Sequence, residues 1–208
     1  MQFRVLGPLE VSEGGFVAAL SAAKPRSLLA MLLTNPGRVV SADALVDALW
    51  GEAPPASAAK LLQVYVSQLR KEIPGIALVT VAPGYRLEVA PDDLDSARFE
   101  ALAHEGAAAL RAGNPLLAAR LLARGLALWR GNAYADVTEP FGVAEAARLE
   151  ALRLDAVQSR IEADLATGSP PEVLVTELRA LIDEHPLRER LWALLMRALV
   201  AGQQSAVA

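Results

Sequence analysis

The chain contains no cysteine. That excludes a disulfide framework, a thiolate zinc site and a cysteine nucleophile. Histidine occurs only at His104 and His185, too few for a His-rich metal cage. Aromatic residues make up 5% of the sequence although 53% is hydrophobic, so the core must be mostly Ala, Leu and Val, which favours closely packed helices. No uninterrupted apolar run approaches the roughly 18–20 residues of a membrane span. The start, MQFRVLGPLEV, lacks the basic region and long apolar stretch of a secretory signal. These absences predict a cytoplasmic chain with no membrane partner. Also missing are a Gly-x-x-x-x-Gly-Lys phosphate loop, a Gly-x-Gly-x-x-Gly fingerprint and a Gly-x-Ser-x-Gly elbow. No catalytic residue, metal or cofactor is expected.

What is present is an uneven charge distribution. The 208 residues carry a net charge of −4, which by itself argues against nucleic acid. Between Lys24 and Arg86, however, stand Lys24, Arg26, Arg38, Lys60, Arg70, Lys71 and Arg86 against Asp43, Asp47, Glu52 and Glu72. That segment carries +3 and the remainder −7. A basic segment within an acidic protein marks the region to inspect for a polyanionic partner.

The length suits one large domain or two small ones. Residues 2–20 read as short strands joined by glycine turns. A helix follows, with Pro25 suited to its first position and Leu28, Leu29, Leu32 and Leu33 on one face. Asn35-Pro36-Gly37 ends it. Ser41 is placed to cap a second helix, with Asp43 in its first turn and Leu45, Val46 and Leu49 buried. A third helix spans about 56–73, followed by a hairpin around Pro83-Gly84. After the acidic stretch Pro91-Asp92-Asp93-Leu94-Asp95 the pattern is helical. Helices are expected over 97–112, 116–130, 143–167, 172–184 and 187–200. Such antiparallel pairs with short breaks predict a tetratricopeptide-like stack. The fold class is thus a mixed α+β winged helix-turn-helix domain, residues 1–92, followed by an all-α domain, residues 93–208.

The third helix carries the candidate site. At about 100° per residue, Ala58, Leu61, Leu62, Tyr65, Val66, Leu69 and Ile73 share one side. Lys60, Val64, Ser67 and Lys71 form a stripe opposite, flanked by Gln63 and Arg70 on one edge and Ser57 and Gln68 on the other. Long cations neutralise phosphate, amides and hydroxyls hydrogen-bond base edges, and Val64 suits a thymine methyl. An ordinary solvated helix face is the competing explanation. The order of three helices and a hairpin favours DNA, with the third helix in the major groove. Arg86, just after the hairpin turn, faces either a phosphate or plain solvent. Six residues of the third helix and one of the hairpin therefore form the candidate DNA-binding set: Lys60, Gln63, Val64, Ser67, Arg70, Lys71 and Arg86.

The chain resembles the SARP (Streptomyces antibiotic regulatory protein) family of actinomycete transcriptional activators. The matching residues in the first half are Leu6-Gly7-Pro8-Leu9, Lys24-Pro25-Arg26-Ser27-Leu28-Leu29-Ala30, Ala48-Leu49-Trp50-Gly51, Gln63-Val64-Tyr65-Val66-Ser67-Gln68-Leu69-Arg70 and Pro83-Gly84-Tyr85-Arg86-Leu87. In the second half they include Leu94-Asp95, Phe99-Glu100, Ala127-Leu128-Trp129-Arg130-Gly131, Arg148-Leu149-Glu150 and His185-Pro186-Leu187-Arg188-Glu189-Arg190-Leu191. The resemblance implies an OmpR-like winged helix and a bacterial transcriptional activation domain. It further implies binding to promoter direct repeats on double-stranded DNA, as a homodimer at least on DNA, and recruitment of RNA polymerase for a secondary-metabolite gene cluster. It implies that the loop 51–56 touches polymerase; a simple helix connection is the alternative. Two departures stand out. Val81-Ala82 replace the Arg that often precedes the Pro-Gly-Tyr turn, and residues 201–208 stop where the family continues through further helices.

Other residues have plainer readings. Trp129-Arg130-Gly131 reads as a core Trp at a helix end, with a docking surface as the alternative. Glu105 and Asp136 read as solvated carboxylates, and Asp183-Glu184-His185 as a helix end closed by Pro186. A second function class is a helical-repeat interaction module whose winged helix no longer binds DNA. The acidic total and the uncharged turn are its support.

Overall fold

A computed structural model describes residues 1–20 and 22–207, with side chains to Gln203. Ala208, the end of the terminal stretch read above, lies outside the described residues. The chain divides into two compact units, residues 1–98 with 128–150, and residues 99–127 with 151–208.

The first unit opens with strands β1 (Gln2–Arg4), β2 (Glu10–Glu13) and β3 (Phe16–Val17), an antiparallel sheet in that order with Phe3 opposite Val11. Helix α1 (Ala23–Leu33) starts two residues earlier than expected, so Pro25 is its third residue rather than its first. Proline fits there equally well, because the first turn's N–H groups have no intrahelical acceptor. Ser41 caps α2 (Ala42–Trp50) as anticipated, its hydroxyl accepting from the Ala44 amide at 3.1 Å, with Asp43 in the first turn. Leu45 and Leu49 are buried, whereas Val46 is only half-buried. Helix α3 (Ala58–Glu72) packs Leu62, Val66 and Leu69 against the other two helices, whose Leu28, Leu29, Leu32 and Leu45 are fully enclosed. Each such side chain stabilises by roughly 1.5–3 kcal/mol gross.

A second sheet, in the order β4-β6-β5, joins β4 (Val40–Ser41) to the hairpin of β5 (Leu78–Val81) and β6 (Gly84–Leu87). Gly84 is sterically required. A Cβ there would lie 1.9 Å from the Val40 carbonyl oxygen on the neighbouring strand.

The remainder of the first unit was not apparent from local patterns. The expected acidic boundary is a short 3-10 turn (Pro91–Asp93), followed by α4 (Asp95–Arg111). Asp95 is buried and accepts the Val5 amide at 2.7 Å and the Leu6 amide at 3.2 Å. Residues 128–139 return to the same strand exit. The Arg130 amide donates to Leu6 O at 2.7 Å, the Tyr134 amide to Val5 O at 2.8 Å, and the Leu9 amide to Asp136 at 2.8 Å. Arg130 reaches Pro8 O at 3.0 Å and Glu10 at 3.2 Å. Helix α5 (Pro115–Leu126) therefore stops short of Trp129-Arg130, contrary to the expected span of 116–130. Trp129 is half-buried in the following loop rather than a core residue at a helix end. Asp136 is bridged to Arg26 at 3.3 Å instead of being merely solvated.

In the second unit Asn114 caps α5 through the Leu117 amide at 3.2 Å. Helix α6 (Pro140–Ala166) belongs to this unit from residue 151 onward, and α7 (Pro171–Glu184) and α8 (Glu189–Val207) follow. Ile161, Leu174, Leu178, Ile182, Leu191, Leu194 and Ala198 form its core. α8 runs past the predicted end at Val200, with no proline to stop it and Gly202 accommodated within the helix. No cluster of metal-ligating side chains occurs among the described residues, and no helix of these is long and apolar enough to cross a membrane.

Burial pushes the Asp95 carboxyl above its ordinary value near 3.8, against the Val5 and Leu6 amides and the Arg130 charge, which pull it down. The folded state thus holds this proton more tightly than the unfolded chain. Asp95 contributes a loss of stability as pH rises from the ordinary carboxylate value through the raised one. Asp95→Asn removes that contribution, so urea denaturation should show a more positive slope of stability against pH across the acid limb. Asp95→Ala strands two amides and should cost about 2–4 kcal/mol at neutral pH.

Candidate nucleic-acid interface

Helix α3 separates its two faces as its periodicity dictates. Ala58, Leu62, Val66 and Leu69 are buried, and Leu61 and Tyr65 are half-buried. Trp50 of α2 stacks on Tyr65 with ring centroids 6.1 Å apart, which fixes the helix at mid-length. Lys60, Gln63, Val64, Ser67, Arg70 and Lys71 all lie exposed on the other side, Val64 at 51%. No acidic residue stands in the first turn, and Arg70 and Lys71 occupy the last. Gln68 belongs to the inner edge, where it donates to Glu72 at 2.8 Å.

Ion pairing sorts the cations of the basic segment. Lys24 is bridged to Glu139 at 3.2 Å and also donates to Leu49 O. Arg26 is bridged to Asp136 and donates to Leu20 O. Arg86 is bridged to Glu88 at 2.7 Å. Among the described residues Arg38, Lys60, Arg70 and Lys71 meet no carboxylate. Three of these four belong to α3. Arg38, exposed between α1 and β4, was not singled out from the sequence; its place in the basic segment was the only signal.

Two predicted residues are engaged within the protein. Arg70 donates from Nε and Nη2 to Leu78 O at 3.0 and 2.8 Å, and from Nη2 to Thr80 Oγ1 at 3.1 Å. Its guanidinium braces the end of α3 against β5 while keeping its charge unneutralised. Arg86 is half-buried beside Val79, its charge met by Glu88. The hairpin turn, Ala82-Pro83, is exposed and uncharged. The arrangement is a rigid helix offering amide, hydroxyl, methyl and cationic groups on one solvent-facing strip. Such a strip suits a groove with phosphate on its edges.

Residues 19–87 match the family described as transcriptional regulatory protein, C terminal. Residues 94–208 match the family described as bacterial transcriptional activator domain. The regulatory protein DnrI of Streptomyces peucetius is 41% identical over 211 residues, covering 96% of this chain and 77% of that protein. The regulatory protein AfsR of Streptomyces coelicolor is also 41% identical, over 99% of this chain, but the chain spans only 21% of AfsR. The structure of Mycobacterium tuberculosis EmbR in complex with a low-affinity phosphopeptide superposes with a TM-score of 0.92 at 35% identity. It covers 99% of this chain and 56% of that one.

The brace has a measurable consequence. Arg70→Ala should speed amide hydrogen exchange along β5 and β6 with little change in exchange across α1, α2 and α3. A charge-assisted hydrogen bond is worth about 1.5–3 kcal/mol, less where exposed, so protection of the hairpin should drop by about tenfold. Unchanged exchange would show that the hairpin is held by its sheet alone.

Proposed function

The chain belongs to the SARP family of transcriptional regulators, with an OmpR-like winged helix and a bacterial transcriptional activator domain, and from that premise we propose how it reads a promoter. DNA binding is the family-level function, and the fold is regulatory rather than enzymatic. In our reading residues 1–92 bind direct repeats and residues 93–208 engage RNA polymerase at a secondary-metabolite gene cluster. Lys60 and Lys71 neutralise phosphates along the groove edge. Gln63, Val64 and Ser67 read bases. Arg70 adds its charge there while positioning the hairpin, and Arg86 is the hairpin's phosphate contact once Glu88 yields it. The observation that carries this reading is the exposed α3 strip, whose cations meet no carboxylate among the described residues.

Affinity must come from few contacts. The turn carries no cation, and a single winged helix presents a small surface, so a second copy on a tandem repeat supplies the rest. Two copies on one face require repeat spacing near one helical turn, roughly 10–10.5 bp.

Salt dependence tests the phosphate assignment. Each phosphate neutralised contributes about −0.9 to the slope of log K against log salt. Lys60→Ala and Lys71→Ala should each flatten the slope by about that amount. Two unchanged slopes would remove both lysines from the interface. Gln63→Ala, Val64→Ala and Ser67→Ala should instead relax discrimination against mutated repeats, at roughly 1–3 kcal/mol per good base contact, with the salt slope preserved.

Spacing tests the arrangement. Inserting half a turn, roughly 5 bp, leaves both repeats intact but moves the second copy to the opposite face. Paired binding and transcription with purified polymerase should both fall. Survival of both would refute same-face binding. Loss of transcription alone would assign the decisive contact to polymerase.

A further inference from the structure

The second unit contains a cleft of about 530 Å³ that the DNA-binding reading does not use. It lies between α4, α6 and α8, every second helix of the array. Ala107 and Leu110 of α4, both half-buried, give it an apolar wall. The polar groups come mostly from α6 and α8. Glu162 accepts Arg190 at 2.9 Å and Arg197 at 3.1 Å, and Arg190 also donates to Ser159 at 3.2 Å. Asp155 faces Arg188 at 3.6 Å. Burial pushes the Glu162 carboxyl up, but the two arginines outweigh it and hold it below the ordinary carboxylate value. Both carboxylates of the cleft therefore face arginines, Glu162 two of α8 and Asp155 the Arg188 just before that helix.

Arg111 stands on the α4 side of the same cleft. It is exposed and has no hydrogen-bond or ion-pair partner among the described residues. Two guanidinium groups, Arg111 and Arg190, and two carboxylates, Asp155 and Glu162, line the cleft, and since Arg188 and Arg197 from outside it also meet those carboxylates, Arg111 is left with no acid to answer it among the described residues. Ligand sites commonly fall between roughly 300 and 1,000 Å³, with apolar walls and a few converging polar groups. We propose that this cleft binds a small organic anion, a molecule with one carboxylate or phosphate on an apolar body. The anionic head sits on Arg111 and the outward nitrogens of Arg190, and the body lies along Ala107 and Leu110. A second, ligand-responsive site then sits in the helical unit, independent of the α3 strip.

The test uses the 208-residue chain, isotopically labelled, with backbone amide shifts followed by NMR. The probes are 4-phenylbutyrate and phenyl phosphate, with 4-phenylbutanamide and inorganic phosphate alongside. Saturable shifts should centre on residues 107–111 and 155–162 for the two organic anions. The uncharged amide and inorganic phosphate should each bind at least about tenfold more weakly, since one lacks the charge-assisted bonds and the other the apolar contact. Arg111→Gln should weaken the organic anions by about tenfold. Arg111→Lys should recover part of that loss, and Arg179→Gln, exposed on α7 outside the cleft, should leave it unchanged. Arg111 is exposed, so its variants should keep the parent Tm. Equal binding of the amide overturns the anion assignment, and equal binding of inorganic phosphate overturns the organic body. Full affinity in Arg111→Gln, or shifts that never saturate, overturns the site itself.

Discussion

The first unit is organised around the exit of strand β1, where the chain from Val5 to Leu9 gives up its regular ladder. Its backbone groups are buried and must find partners, because an orphaned amide costs about 1–3 kcal/mol. They find them far along the chain. Asp95 takes the amides of Val5 and Leu6, Arg130 and Tyr134 donate to the carbonyls of Leu6 and Val5, and Asp136 takes the amide of Leu9. Close approach depends on Gly7, where a Cβ would sit 3.1 Å from Arg130 Cβ. The same returning segment supplies Asp136 and Glu139 to Arg26 and Lys24 at the start of α1. Burial raises the Asp95 carboxyl above its ordinary value, because two well-aimed amides only partly offset its desolvation.

That joint also shapes the surface proposed for DNA, through charge rather than contact. With Lys24 and Arg26 bound to the returning segment, the cations that remain open in the basic segment are Arg38 and those of α3. The helix is in turn held by three independent restraints: the leucine core beneath it, the Trp50–Tyr65 stack, and Arg70 on the Leu78 carbonyl. Rigidity has functional value here. Base discrimination needs side chains held in register, and entropy lost on binding subtracts directly from affinity.

Elements specified by neighbouring residues were legible in the sequence. Ser41 capping α2, the two faces of α3 and the hairpin near Pro83-Gly84 all follow from spacing and residue type. Features set by residues distant in sequence were not. Asp95 read as part of an acidic boundary, since nothing near it announces amides about ninety positions away. Trp129-Arg130 read as helical because their apolar spacing continues that of α5, yet backbone pairing with Leu6 removes them from the helix. The Arg70 brace escaped for the same reason: periodicity places it on the exposed strip, and only the tertiary position of β5 gives it an acceptor.

The acidic total of the chain now has a physical resolution. Net charge sums groups that cancel in pairs, whereas a polyanion responds to charge that remains open on the face it approaches. Glu10 pairs with Arg4 and Arg130, Glu162 with Arg190 and Arg197, and Asp164 with Arg160. These pairs leave little field at a distance, since opposite charges a few ångströms apart are screened within about 8–10 Å at ordinary ionic strength. On α3 the residues from Ala58 to Lys71 include three cations and no acid. An approaching duplex therefore meets a positive strip on a molecule whose total is negative. Such a strip attracts DNA over short range. For a DNA-binding regulator, weak attraction elsewhere on the surface is an advantage, because non-specific affinity is what specific binding competes against.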